Sequence, residues 1–335
     1  MPLLEVRDLA IGFPGPNGFP DQVAVHGIDL RIDAGETLAL VGESGCGKSI
    51  TAFALMRLLP PSARILRGQV LFDGIDLLTA TPRTVRGVRG KRISLILQEP
   101  MTSLNPVMTI GTQIAEMIRQ HESLSRAATS RRVVELLDLV GIPEPQRRAR
   151  EFPHNFSGGM RQRVMIAMAV ACQPQLIIAD EPTTALDVTI QAQVMDLLDS
   201  LRRQFGMAML LITHDLGVVA QWADRATVMY AGRIVEQAAV RPFFRHPRHP
   251  YARGLLGAAV TEAEGAHYTT QRLTEIPGSV ASAAGEPGCP FAPRCPDVIP
   301  ACHAAPPKLM PMVEGWDVAC IRATKTEARH VAAVG

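Results

Sequence analysis

The chain has 335 residues, 47% of them hydrophobic and 20% charged, with a formal net charge of +2. That length allows one large domain with an appendage, or two domains, and the composition is that of an ordinary soluble globular protein. The small charge excludes a bulk electrostatic case for nucleic-acid binding, and the longest apolar run, VMIAMAVAC at 164–172, is far short of the ~20 residues of a membrane span.

The opening stretch, MPLLEVRDLAIGF, has a charge every few residues and no basic region before an apolar run, so no secretory signal is expected and the protein is expected in the cytosol. IDLRID, 28–33, alternates apolar and polar residues as a half-buried antiparallel strand does. TLALVG, 37–42, reads as a buried strand that runs into a Gly-rich turn. KSITAFALMRLL, 48–59, reads as a helix ended by Pro60-Pro61. GQVLFDGIDLL predicts a short hairpin turning at Asp73-Gly74, and ISLILQ, 93–98, another buried strand.

From about 101 to 175 the pattern is helical, with QIAEMIRQ, RRVVELLDLV and GGMRQRVMIAMAVA as its main segments, and the block at 101–164 suggests a subdomain. Buried strands return at 176–180 and 207–213 with the helical stretch VTIQAQVMDLLDSLRRQ between them, and ATVMYAGRIVEQ predicts a hairpin. Strands alternating with helices indicate an α/β core with a largely parallel sheet. After about 240 the composition shifts: RPFFRHPRHPYARGLL is basic and broken by prolines, and 275–320 is rich in Pro, Ala and Cys with little periodicity. The expected division is therefore a domain over 1–240 and an extension over 241–335.

The turn after TLALVG is GESGCGKS, 42–49, a full match to G-x-x-x-x-G-K-[ST] between a predicted strand and a predicted helix. Glycines let successive backbone N–H groups wrap a phosphate chain, and the helix N-terminus adds positive potential. Lys48 is placed for the β- and γ-phosphates and Ser49 for Mg²⁺. In LIIADEPTTALD, 176–187, a buried strand ends in two acids: Asp180 is suited to hold Mg²⁺, and Glu181 to orient and deprotonate an attacking water. Ser157-Gly158-Gly159 in NFSGGMRQR opens a helix; alone it is an N-cap, and about twenty residues before the acid pair it also offers a hydroxyl and amides to an anion.

These segments resemble the nucleotide-binding subunit of an ATP-binding cassette transporter over roughly residues 1–240. Gly42–Ser49 matches the Walker A loop and Leu176–Glu181 the Walker B strand. Phe156–Met160 matches the family signature, with Phe156 and Met160 where Leu and Gln are commonest. Ala185-Leu186-Asp187 matches the D-loop, Gln98 the Q-loop and His214 the switch histidine. The resemblance implies a P-loop cassette fold, with a RecA-like parallel-sheet core, an antiparallel β subdomain and a helical subdomain.

It also implies that two cassettes sandwich two ATP molecules head to tail. Gly42, Glu43, Ser44, Gly45, Cys46, Gly47, Lys48, Ser49 and Ile50 would bind nucleotide on one subunit, and Ser157, Gly158, Gly159 and Met160 would reach it from the other. Gln98 would join Ser49 and Asp180 at Mg²⁺, or touch the attacking water. Glu181, His214 and Gln98 would carry catalysis, with Asp187 in the D-loop. Phe13 is a candidate to stack on adenine and equally a core residue at a strand end.

QEPMTSLNP at 98–106, HPYARGLL at 249–256 and the Cys-Pro-rich tail further resemble the ATPases of oligopeptide, dipeptide and nickel importers. Such a subunit would work with a second ATPase, a copy or a paralogue, on two permease chains at the cytoplasmic face of the inner membrane, fed by an extracytoplasmic binding protein. The alternatives are a soluble cassette ATPase acting on nucleic acid and the silent half of an unequal ATPase pair. RPFFRHPRHPYARGLL also reads as a membrane-surface patch, but its prolines forbid a continuous amphipathic helix and favour a structural junction.

Six cysteines occur in the chain. Cys46 sits in the phosphate loop and Cys172 on a predicted buried helix. Cys289, Cys295, Cys302 and Cys320 are spaced C-x₅-C-x₆-C-x₁₇-C. A cytosolic compartment disfavours a disulfide framework, and structural zinc generally uses tighter pairs. Wider spacing can wrap a [4Fe–4S] cluster, as the importer resemblance also implies. The readings are a [4Fe–4S] cluster, zinc or free thiols; a metal there would staple an extension that has too little periodic apolar sequence to fold alone.

Overall fold

The computed structural model describes residues 2–15, 22–98, 103–184, 186–263, 276–283, 286–313 and 315–323. In chain order the first elements are β1 (Leu4–Phe13), β2 (Gln22–Ile32), β3 (Thr37–Val41), α1 (Lys48–Leu55), β4 (Arg64–Phe72), β5 (Ile75–Asp76), α2 (Pro82–Val88) and β6 (Ile93–Ile96). A helical stretch follows with α3 (Ile110–His121), α4 (Arg126–Leu139), α5 (Pro145–Arg148) and α6 (Gly158–Val170). Then come β7 (Leu176–Asp180), α7 (Val188–Phe205), β8 (Ala208–Thr213), α8 (Leu216–Trp222), β9 (Arg225–Tyr230) and β10 (Arg233–Ala239). The C-terminal part has α9 (Val240–Arg245), α10 (Pro250–Ala263), β11 (Met310–Val313) and β12 (Trp316–Val318).

Two compact units divide the chain. One holds Met1–Leu3, Ile32–Thr37 and Phe72–Ile212; the other holds Leu4–Arg31, Leu38–Leu71 and Thr213–Gly335. In the first, β6, β7 and β8 are parallel, with Ile93 opposite Leu176 and Leu176 opposite Ala208. Every residue of β7 is buried, the continuous burial expected of a strand covered on both faces. That register sets Asp180 at the C-terminal end of β7, opposite Ile212.

The helical stretch packs through stripes at helical spacing, Ile110, Ile114 and Ile118 on α3 and Val133, Leu136 and Leu137 on α4, all buried. Thr109 and Ser125 cap these helices through their side chains, accepting N–H bonds from Thr112 and Ala128. Gln113 is buried among them with its amide satisfied by the backbone of Asn105 and Met108.

In the second unit β1 lies between β2 and β4. A second set of strands runs in the order β11-β12-β10-β9-β3; β3 and β9 are parallel and the other pairs antiparallel. The tail strand β12 pairs with β10, Val318 opposite Glu236. Tail residues Phe291, Trp316 and Val318 are buried in one cluster with Val41, Val228, Tyr230, Phe243 and Tyr251. The tail thus has a fold because it borrows the apolar face of β9 and β10.

Glu236, buried in β10, ties this part together. Its carboxylate accepts the N–H groups of Arg248 and His249, which lead into α10, and the indole N–H of Trp316 on β12. Burial raises its pKa, and these donors oppose the rise.

Two local features differ from the sequence expectation. The helix expected to run to Leu59 ends at Leu55, because Arg57 takes a left-handed backbone (φ 50°) that no α-helix continues through. A short helix, α2, appears where none is expected; Thr81 caps it, accepting from Thr84 N, and Pro82 stands at its first position. The Asp73-Gly74 turn is present, with left-handed φ at both residues (47° and 77°), as a two-residue hairpin turn requires.

Candidate functional site

The phosphate loop follows β3 directly. Gly42 has φ 155°, and a Cβ there would meet the Met229 carbonyl oxygen at 2.2 Å, so only glycine lets the loop leave the strand this way. Lys48 is 5% exposed. Its Nζ donates to the carbonyl oxygens of Gly42 and Glu43, at 2.7 and 3.0 Å, which holds the ammonium inside the ring of the loop. Lys48 and Ser49 open α1, so the loop ends on the positive pole of a helix. Ser44 and Gly45 are exposed, while Cys46 is buried beneath them and burial pushes its thiol pKa up.

Glu43 departs from the simple picture of a phosphate cradle. Its N–H donates to the Tyr251 hydroxyl at 2.9 Å, and its carboxylate pairs with Arg294 at 2.9 Å. The backbone N–H of this one loop residue is therefore committed to the tail side of the unit. Neither partner was legible from the sequence, where Tyr251 belongs to the stretch read as a structural junction.

Among the same unit's residues, His214 is exposed on the turn after β8, where Asp215 caps α8 by accepting from Gly217 and Val218 N–H. Phe13 is half-buried at the end of β1.

The other unit carries the two acids. Asp180 is buried at the end of β7. Glu181 takes a left-handed backbone (φ 47°), a conformation that costs a non-glycine residue about 1–2 kcal/mol. Its Oε2 accepts from Gln98 Nε2 at 2.9 Å and from Thr184 Oγ1 at 2.8 Å. Gln98 and Glu181, 83 residues apart, are thus brought together, and two donors orient one carboxylate oxygen. Glu99, Pro100, Met101 and Thr102, in the 98–106 stretch, and Ala185 of the expected D-loop lie outside the described residues.

Ser157 caps α6, accepting from Met160 N at 3.3 Å, and it is exposed together with Gly158. Its O–H retains a donor. Phe156 anchors the turn from below, buried, with the Arg148 guanidinium over its ring at 5.6 Å. Gly159 is needed for packing: a Cβ would stand 2.9 Å from Ile190 on α7. Asp187 is the N-cap of α7 and accepts from Ile190 N at 3.0 Å.

All six cysteines are free thiols. Cys289, Cys295, Cys302 and Cys320 line a single cavity, walled further by Phe291, Ala292, Pro307 and Ile321. Cys289 N–H donates to the Cys302 carbonyl at 2.7 Å, which pins two turns of the tail together. Burial pushes the Cys289 thiol up to about 11, and the neighbouring Cys302, Cys320 and Cys295 add to the rise. Among the described residues no group of three or more His, Cys, Asp or Glu side chains stands in an arrangement that holds a metal ion. The four sulfurs face one cavity without forming a ready-made ligand set, so the cluster expected from the spacing is not supported by coordination geometry. His249, on the same wall, accepts the Tyr251 N–H through Nδ1, and burial pushes its pKa down to about 3.

A family model described as "ABC transporter" matches residues 25–184, and one described as "Oligopeptide/dipeptide transporter, C-terminal region" matches residues 235–302. A probable peptide ABC transporter ATP-binding protein of Sinorhizobium fredii is 50% identical over 326 residues, 96% of each chain. The chain belongs to the ATP-binding proteins of oligopeptide/dipeptide ABC transporters.

An oligopeptide transport ATP-binding protein, OppD, of Mycobacterium bovis is 52% identical over 333 residues, which is 99% of this chain and 53% of that protein. The chain therefore spans about half the length of that mycobacterial relative. Among solved structures, a dimeric ATP-binding cassette bound to ADP and Pi in a post-hydrolysis state aligns with a TM-score of 0.63 at 26% identity, covering 71% of this chain and 99% of that one. The fold is accordingly the P-loop cassette fold. The relatives are named for transport, which leaves the nucleic-acid alternative without support. Among the described residues no helix is long and apolar enough to cross a membrane.

Proposed function

We propose that this chain is the ATP-hydrolysing subunit of a peptide importer. Membership of the peptide-transporter family, at 50% identity along nearly the whole chain, is the observation that carries the reading. In it Gly42, Ser44, Gly45, Cys46, Gly47, Lys48, Ser49 and Ile50 receive the phosphates, with Glu43 setting the loop's shape. Phe13 stacks on adenine. Ser49, Asp180 and Gln98 supply the oxygen ligands that suit a hard divalent cation. Mg²⁺, when bound, neutralises charge on the β- and γ-phosphate oxygens.

Glu181, oriented by Gln98 and Thr184, takes the proton of the attacking water. His214 contacts the γ-phosphate. Ser157, Gly158, Gly159 and Met160 serve the nucleotide held by a second ATPase subunit, with Asp187 at the junction. Closing on ATP moves two permease chains at the cytoplasmic face of the inner membrane, and an extracytoplasmic binding protein delivers the peptide.

Four thiols on one cavity are the donor type of a [4Fe–4S] cluster, one thiolate per iron, and their wide spacing, not their present geometry, favours it over zinc. Cys289, Cys295, Cys302 and Cys320 would hold it, and its contribution is to staple the tail rather than to carry electrons. Protein purified without oxygen is expected to hold about four irons and four sulfides per chain, with a broad absorption near ~400 nm. One zinc and no iron replaces the cluster by a zinc staple, and no metal removes the staple altogether.

The ATPase reading is tested by reconstituting the chain with its permease partners in vesicles. ATP-dependent peptide uptake, abolished by Glu181→Gln in this chain, is the expected result. Unchanged turnover in that variant makes this the silent half of an unequal pair.

A further inference from the structure

Arg294 belongs to the Cys-rich tail, next to Cys295, yet its side chain is only 3% exposed. Each of its nitrogens is used. Nε donates to the Pro277 carbonyl at 2.7 Å, and Nη2 to the Ile276 carbonyl at 3.1 Å. Nη1 reaches Glu43 Oε2 at 2.9 Å and the Tyr230 hydroxyl at 3.4 Å. A buried guanidinium is stable only where its charge is paired and its donors are satisfied. Among the described residues, the carboxylate paired with it is that of the second residue of the phosphate loop.

The same loop residue is held a second time. Its backbone N–H donates to Tyr251, whose ring packs on Tyr230 and Phe291 with centroids 4.7 and 5.4 Å apart. Phe291 lies two residues after Cys289 and three before Arg294, and its ring also meets Tyr230 edge-on. Thus a packed aromatic triad and one buried ion pair run without interruption from the four-thiol cavity to Glu43. The Glu43 carbonyl in turn receives Lys48 Nζ. Rotating Glu43 would therefore move the lysine's acceptor and the N–H groups that follow it.

We propose that Arg294, seconded by Tyr251, is a positioning residue for the phosphate loop, so that nucleotide affinity depends on the folded tail through the Arg294–Glu43 pair. The proposal rests on the phosphate-loop reading of 42–49. Arg294 acts on nucleotide only through Glu43. Its loss is thus expected in binding, while turnover at saturating ATP changes little.

The test is the dissociation constant for Mg·ATP of the full chain, with steady-state kcat and KM of the reconstituted transporter. Arg294→Gln is expected to weaken ATP binding roughly 10- to 100-fold, the scale of a lost charge-assisted hydrogen bond. KM is expected to rise with kcat within a factor of about two. Arg294→Lys, which keeps the charge without the fork, should recover part of the loss.

Glu43→Gln should weaken binding comparably. The Arg294→Gln/Glu43→Gln double variant should be no worse than the poorer single one, because both remove one interaction. Tyr251→Phe, which keeps the ring packing and deletes one acceptor, separates loop positioning from collapse of the tail and should shift affinity a few-fold in the same direction. Unchanged affinity in a folded Arg294→Gln protein overturns the proposal, as do fully additive effects in the double variant. Failure of the wild-type chain to bind ATP overturns the phosphate-loop reading as well.

Discussion

The phosphate loop and the four-cysteine region lie in the same compact unit and hold their functional groups in opposite ways. The loop is eight consecutive residues whose working parts are backbone N–H groups, one lysine and one serine, all delivered by local chain geometry. The cysteine region gathers side chains from 32 residues of sequence, and its thiols share a cavity only because Phe291, Trp316 and Val318 pack into the core under β9 and β10. A site made of contiguous backbone carries its own specification. A site made of scattered side chains exists only as long as the packing behind it, and here that packing is also what grips Glu43.

Several substitutions test this contrast. The largest effects belong to the contiguous elements. Lys48→Ala removes the cation held inside the loop and is expected to abolish ATP binding, while the melting temperature of the chain barely changes; a nucleotide titration with a thermal melt checks both. Glu181→Gln should lower turnover about 10²- to 10⁴-fold, the range of a lost general base, with ATP binding retained. A similar fall in binding would show that Glu181 shapes the site rather than acting on water.

For the scattered site the expectation reverses, with stability falling first. Phe291→Ala leaves a cavity among Tyr230, Tyr251 and the thiols, and should destabilise the second unit by about 3–5 kcal/mol. Chemical denaturation followed by the fluorescence of Trp222 and Trp316, both in this unit, reads it. If stability holds, the tail does not depend on the aromatic triad, and the contrast fails.

The smallest expected effect concerns pH. Burial, with Arg253 adding to it, pushes His249 down to about 3, against about 6.5 for an unfolded histidine. Between those values the unfolded chain binds a proton that the folded chain refuses. This contribution to stability is therefore complete above about 6.5 and lost as pH falls toward 3. One unit below the unfolded value the loss is about 1.4 kcal/mol. Melting temperatures at pH 7.5 and 5.5 should separate more for the native chain than for His249→Asn, which keeps an acceptor for the Tyr251 N–H.

Much of the fold and site was legible in the residues as written. LIIAD could be read as a covered strand delivering Asp180 and Glu181, and GESGCGKS as a phosphate loop, because burial on both faces and backbone curvature each leave a local trace. The turn at Ser157 was legible as a helix start for the same reason, because an N-cap is a local feature. What could not be read is illustrated by α1, whose end at Leu55 was set by the backbone of Arg57 and not by the prolines beyond it. The short helix α2 does carry a local trace, the Thr81 cap with Pro82 at its first position.

By itself the sequence determined the elements whose form is local: the strand-loop-helix around Lys48, the acid pair at the end of β7, and the family to which they belong. Tertiary structure alone decided that Gln98 orients Glu181 and that four distant thiols share one cavity. It also decided that the buried charge of Arg294 is satisfied by a glutamate 251 residues away in the phosphate loop. Such pairings leave no local trace, because a buried charge finds its partner by packing and not by spacing along the chain.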